Sequence, residues 1–242
     1  MPNHFSCIGF HVTNEKSFHI LLERALRFGD SVDFDGGSYV HFQPEDEVGA
    51  EVWVAVDEKD ASVGANPHFS GSGRIQGCIE AVYPGPTPFE ASVRVWVNGA
   101  RVGEGDYPVV VDLPTFRTRT WAAGEAVTLQ VAAFAHEVES WDTAADYEAA
   151  QAEAPRKRAL PSFTPAPADG DAPPPADAFF TGRVESFTRL TNSETERVFF
   201  HLVVATVGGS YDVVLDPELC EREPREGGVV QGRYWLSARA VP

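Results

Sequence analysis

Residues 155–177, PRKRALPSFTPAPADGDAPPPAD, hold seven prolines in 23 positions. Each proline removes an amide donor and fixes φ, so a run of this kind sustains neither a helix nor a central strand. It reads as a semi-extended linker of the polyproline type. Ser162 and Phe163 are the exception: an aromatic ring is unusual in a solvated tether, so this pair is expected to dock on a neighbouring surface. The linker divides the 242-residue chain into segments 1–154 and 178–242, each with its own hydrophobic pattern.

In the first segment, FSCIGFHV (5–12) alternates polar and apolar residues and reads as part of a strand over 4–12. A helix over 14–28 follows, with Thr13 or Asn14 as N-cap, Phe18, Leu21, Leu22 and Ala25 at i, i+3, i+4 and i+7, and Gly29 just past its end. Strands are expected near 31–35, 38–43 and 50–57. Others follow at 74–83, 91–98, 107–112 and 126–135, each alternating with period two or rich in β-branched residues. A short helix rich in Ala and Glu starts from a cap at Ser140 or Asp142 and, with its thin apolar stripe, is expected to lean on a sheet edge.

In the second segment, FFTGRVESFTRL, VFFHLVVATV, SYDVVLD and GGVVQGRYWLSARAV are separated by polar turns and a short PELC piece. Three meandering strands, a short helical piece and a long strand entered through paired glycines resemble an OB-like barrel. The expected fold is therefore α+β and mostly antiparallel, with a sheet domain over 1–154 carrying one main helix and a small OB-like β-barrel over 178–242.

Charge separates the segments further. The chain carries a net charge of −17, and residues 1–154 account for most of it, with 9 basic against 24 acidic side chains; residues 178–242 have 7 against 9. So acidic a surface repels phosphate backbones and anionic lipid, which makes nucleic acid and membrane poor partners. Three cysteines far apart supply neither a disulfide framework nor a metal knuckle. With no signal-peptide pattern at the N-terminus and no apolar run of about 20 residues, the expected location is the cytoplasm.

If the helix covers Ile8, Phe10 and Val12, alternation adds Val40, Phe42, Val52, Val54 and Val56 to that apolar face. Cys7, His11, Tyr39, His41, Glu51 and Trp53 then share the opposite one. Arg74, Gln76, Cys78 and Glu80 on one later strand, and Arg94, Trp96 and Asn98 on another, continue the mixed face. Cys7 and His11 lie about 13 Å apart along a strand at roughly 3.3 Å per residue, so they cannot chelate one ion as a pair. His136 and Glu137 fail the HExxH pattern because Ser140 stands where the second histidine belongs. The glycines after His68 miss dinucleotide-binding spacing, and neither a GxSxG elbow nor a P-loop is present. In the second segment Gln231, Arg233, Trp235, Ser237 and Arg239 alternate onto one side of the last strand.

Two further resemblances bear on function. The strand, helix and three strands over 4–57 resemble one module of the glyoxalase and vicinal-oxygen-chelate superfamily, whose sheet face binds a metal with His and Glu. That likeness implies a metal set at His11, His41 and Glu51. It is weakened by Cys7 at the place of the family's first metal-binding histidine and by the absence of a matching helix in 65–135. An HFxCIGFxV opening (4–12) and a GGxxxGxxWLSxR ending (227–239) resemble a family of bacterial proteins that brings no assigned activity.

These observations favour a non-catalytic accessory or regulatory binding protein that needs no cofactor and offers an acidic, Trp-bearing surface to a protein or small-molecule partner. Tyr39, His41, Trp53, Trp96, Arg233 and Trp235 are its candidate contact residues. The alternatives are a metal-dependent glyoxalase-like or dioxygenase-like enzyme at His11, His41 and Glu51, and single-strand nucleic-acid binding by the C-terminal barrel.

Overall fold

The structure, a computed structural model, describes residues 2–44, 49–59, 61–154, 157–170 and 172–241. Pro155, Arg156 and Asp171 of the Pro-rich stretch lie outside the described residues. Strands account for about half of the chain and, among the described residues, two α-helices accompany them, giving an α+β fold dominated by β-structure. No helix among the described residues is long and apolar enough to cross a membrane.

The expected strand over 4–12 is not formed. Ser6–Ile8 is a 3-10 turn that ends at Gly9 in the left-handed region (φ 79). Asn3 organises it, its side-chain oxygen accepting from the Ser6 amide at 3.1 Å while the Ser6 hydroxyl donates to the Asn3 carbonyl at 2.9 Å. Period-two logic fails in a turn, so Cys7, Ile8 and Phe10 all enter one core and His11 is exposed. A β-carbon on Gly9 would stand 2.6 Å from Cβ of Asn192, a close approach that only glycine allows.

Helix α1 (Glu15–Phe28) matches its expected span. Asn14 and Ser17 form a reciprocal capping box, and the Gly29 amide closes the last turn on the Ala25 carbonyl at 2.8 Å. Strands β1 (Asp30–Phe34), β2 (Gly37–Phe42), β3 (Ala50–Asp57) and β4 (Ser62–Phe69) form an antiparallel sheet in sequential order. Leu21 and Ala25 of α1 share a core with Val40, Phe42, Val52 and Val54, as alternation requires. β4 escapes the sequence pattern because Gly64 and Pro67 interrupt it; Pro67 is tolerated because β4 is the last strand of this sheet and has an open side.

The remaining strands are β5 (Arg74–Pro84), β6 (Ala91–Val97), β7 (Tyr107–Asp112), β8 (Ala126–Trp141), β9 (Ser162–Pro165), β10 (Asp177–Asn192), β11 (Arg197–Thr206), β12 (Gly209–Leu215) and β13 (Val229–Ala240). Helix α2 (Ala144–Glu153) follows β8, capped by Thr143, and a 3-10 turn at Pro217–Leu219 precedes β13. All nine strands belong to one mixed sheet. β8 and β13 pair antiparallel from Val229 opposite Trp141 to Ala240 opposite Leu129. β8 also joins β5 antiparallel and β12 parallel, while β13 joins β10 antiparallel and touches β7 in parallel at Ser237 and Asp112.

Two closed cycles of pairing result: β5–β6–β7–β13–β8, and β10–β11–β12–β8–β13. The long strands β8 and β13 belong to both. The sheet therefore runs across the compositional boundary at 155–177, and one core contains Val95 and Leu129 together with Phe180, Leu202 and Leu236. The Pro-rich stretch contributes β9, which pairs with β10; Phe163 stacks on Tyr107 at 4.3 Å between ring centroids, so this aromatic is docked.

Candidate functional site: a cleft where the two sheets meet

Alternation along β8 and β13 sends Leu129, Val131, Tyr234 and Leu236 into the large core, and Gln130, Phe134, Trp235, Ser237 and Arg239 to the other face. That outer face meets Glu51, Trp53 and His68 from β3 and β4. Where they meet, Asn66, Glu90, Ser92, Asp112, Trp235 and Ser237 line a cleft of about 240 Å³. The Trp235 indole N–H donates to Asp112 Oδ2 at 2.6 Å, and His4 stacks flat on the Trp235 ring at 4.4 Å. Both charged groups in the lining, Glu90 and Asp112, are acids. Burial pushes the Asp112 carboxyl up to about 6; the indole hydrogen bond opposes this, and the charges of Asp177 and Glu90 add to it.

Beside the cleft, Glu51 is buried among donors. It accepts from the Trp53 indole at 2.9 Å and from Arg239 Nη1 at 3.0 Å, and His41 Nε2 lies 3.5 Å away. His41 stacks on Trp53 at 4.2 Å, and the Arg239 guanidinium stands 4.7 Å from the same ring's centroid. Burial alone would raise the Glu51 carboxyl, but His41, His68 and Arg239 hold it down at about 2. His41 and Glu51 are thus neighbours, as expected. His11 does not join them: it is exposed and sits 2.6 Å from Arg197 Nη1 on β11. Among the described residues no group of three or more His, Cys, Asp or Glu side chains is placed to hold a metal ion.

Behind the cleft runs a buried polar chain. Gln130 donates through Nε2 to the Phe69 carbonyl and to Asp212 Oδ2, both at 3.0 Å, which leaves its Oε1 to accept from His68 Nε2 at 2.7 Å. His68 Nδ1 then accepts from the Ser237 hydroxyl at 2.9 Å. Burial holds the His68 imidazole down at about 4, in its neutral form. Asp212 also bonds His201 Nε2 at 2.9 Å and the Gly73 amide at 2.7 Å, so the SGSG loop after β4 is pinned on its carboxylate. Ser237 and His68 are both buried, and their hydrogen bond joins β13 to β4 across the seam.

The other expected contact residues are scattered. Tyr39 is buried in a separate cluster with Trp53, Ala55 and Phe89, and its hydroxyl donates to the Phe89 carbonyl at 2.7 Å. Trp96 is half-buried on β6, opposite Cys78 and Pro108. Arg233 is exposed farther along β13, between Phe179 and Glu137, and does not line the cleft. Asp112, Gln130 and Asp212 are not among the candidates read from sequence, and His68, which enters there only through the glycines that follow it, is buried on β4. A lone Gln130 inside the apolar run AVTLQVAAFA was the one local signal that could have marked this network. Comparison with protein-family models, with curated proteins and with solved structures finds no match.

Proposed function

We propose that the protein is a non-catalytic binding protein whose seam cleft takes a cationic group, an ammonium or guanidinium, from a small molecule or from a partner's side chain. One observation carries this reading: Glu90 and Asp112, the charged groups that line the cleft among the described residues, are both carboxylates, and Asp112 holds the Trp235 indole N–H. A cation there gains charge-assisted hydrogen bonds and contact with an aromatic ring. The chain's net charge of −17 favours encounter with such partners. We also read the cycle β10–β11–β12–β8–β13 as OB-like. The short turn between β12 and β13 stands where such a barrel has its helical piece, and β8 supplies the strand that 178–242 lacks.

The reading predicts a pH dependence. Asp112 is neutral below about 6 and ionised above it, so cation affinity rises between pH 5 and pH 7. Titration calorimetry with arginine amide tests this: wild type binds more tightly at pH 7 than at pH 5, and Asp112→Asn weakens binding about tenfold at pH 7 while flattening the pH profile. Equal affinities for wild type and Asp112→Asn would refute the assignment.

A further inference from the structure

The seam cleft offers more acceptors than its two carboxylates. Ser92 on β6, Asp112 on β7 and Ser237 on β13 stand side by side in register, so they form one row across three strands on the face that carries Trp235. Asn66 comes from the facing sheet. It shares a face of β4 with His68, two residues on, and His68 reaches Ser237 at 2.9 Å, which turns both side chains toward that row. Glu90 stands just ahead of β6 and completes the polar lining.

The partners these groups already have leave specific atoms over. Asp112 Oδ2 accepts from the Trp235 indole, and Glu90 Oε2 accepts from the Thr87 hydroxyl at 3.0 Å. Asp112 Oδ1, Glu90 Oε1, the Asn66 carboxamide and the Ser92 hydroxyl have no hydrogen bond among the described residues. They are spread out, since neighbouring strands alone put about 4.8 Å between Ser92 and Asp112, and Asn66 lies across the gap. An ammonium nitrogen reaches only acceptors within about 3 Å of one point, whereas a guanidinium sets its N–H donors along a plane. The volume fits as well: about 240 Å³ lies below the roughly 300 to 1,000 Å³ of sites for drug-sized ligands, so the cleft takes one flat end group and not a whole large ligand.

We infer that the seam cleft selects a guanidinium over an ammonium, and that Asn66 and Ser92 are its specificity-determining residues. The inference rests on the cation reading of this cleft and goes beyond it by naming the ion. Asp112 and Glu90 supply charge for any cation. The Asn66 carbonyl and the Ser92 hydroxyl accept from the guanidinium edges, positions that a lysine-like ammonium leaves empty. Both residues are half-buried, so an acceptor left empty there loses part of its water without a replacement.

Titration calorimetry of the full chain at pH 7 with acetyl-arginine amide and acetyl-lysine amide, which carry one cation each, tests this. The expected result is that wild type binds the arginine probe about tenfold more tightly than the lysine probe, and that Asn66→Ala and Ser92→Ala each narrow the preference to about threefold or less. Equal affinities for the two probes in wild type overturn the selectivity while leaving the cation reading intact, and binding of neither overturns both. A preference undiminished in both variants overturns the assignment of Asn66 and Ser92. Methylguanidinium, titrated alongside, separates the sources of the group: an arginine probe that binds more tightly than it assigns the group to a partner's side chain, one that binds more weakly assigns it to a free small molecule, and either result upholds the guanidinium. The wild-type comparison needs no variant, so the outcome does not depend on how the substitutions fold.

Discussion

Glu51 shows how a single side chain ties the seam together. It is 2% exposed, and a buried carboxylate persists only where donors surround it; the Trp53 indole and Arg239 do so here, with His41 Nε2 3.5 Å away. Its carboxyl is held at about 2, below the ordinary value of 4.5, so it stabilises the fold above pH 4.5 and the contribution fades as pH falls toward 2. Glu51→Leu leaves Arg239 and the indole without their acceptor, and urea unfolding at pH 7 should show a loss of about 3 kcal/mol. The gap from wild type should narrow below pH 4.5; a variant as stable as wild type at pH 7 would contradict this account of the seam. Asp112 has the opposite sign, its neutral form being favoured by burial. The sequence placed His41, Glu51 and Trp53 on one strand face, because neighbouring strands preserve alternation. It could not place Asp112, whose partner Trp235 stands on the last strand of the chain.

Elements were legible where local chemistry alone determines them. α1 carries its own cap, stripe and stop, and the alternating β2, β3 and β6 face as their patterns require. FSCIGFHV misleads because its alternation is accidental to a turn built by Asn3, Ser6 and Gly9. β4 and β9 were hidden by glycine and proline, residues that mark loops in most contexts but are accepted on open strand edges. The N-terminal turn is also a packing element: Asn192 donates to the Ile8 carbonyl at 2.9 Å and Thr195 bonds the Gly9 carbonyl at 2.6 Å. Gly9→Val meets both a left-handed backbone and the Asn192 side chain, so it should cost at least about 2 kcal/mol. Thermal unfolding of the variant checks this, and an unchanged midpoint would show that the turn can relax without penalty.

At the scale of the molecule, the Pro-rich stretch separates two compositions but not two sheets. Proline content reports where a chain cannot be helical, whereas strand partners are chosen across the whole length, and that long-range choice leaves no mark on composition. β8 and β13 each complete a cycle begun on the other side of residues 155–177, and the seam cleft depends on this exchange because Asn66 and Asp112 come from one side and Trp235 and Ser237 from the other. The most direct measurement is the amide NMR spectrum of fragments 1–154 and 157–242, recorded separately and then mixed. The account predicts collapsed, poorly dispersed spectra for each fragment alone and a dispersed spectrum with a resolved Trp235 indole signal on mixing. A well-dispersed spectrum from either fragment by itself would contradict it.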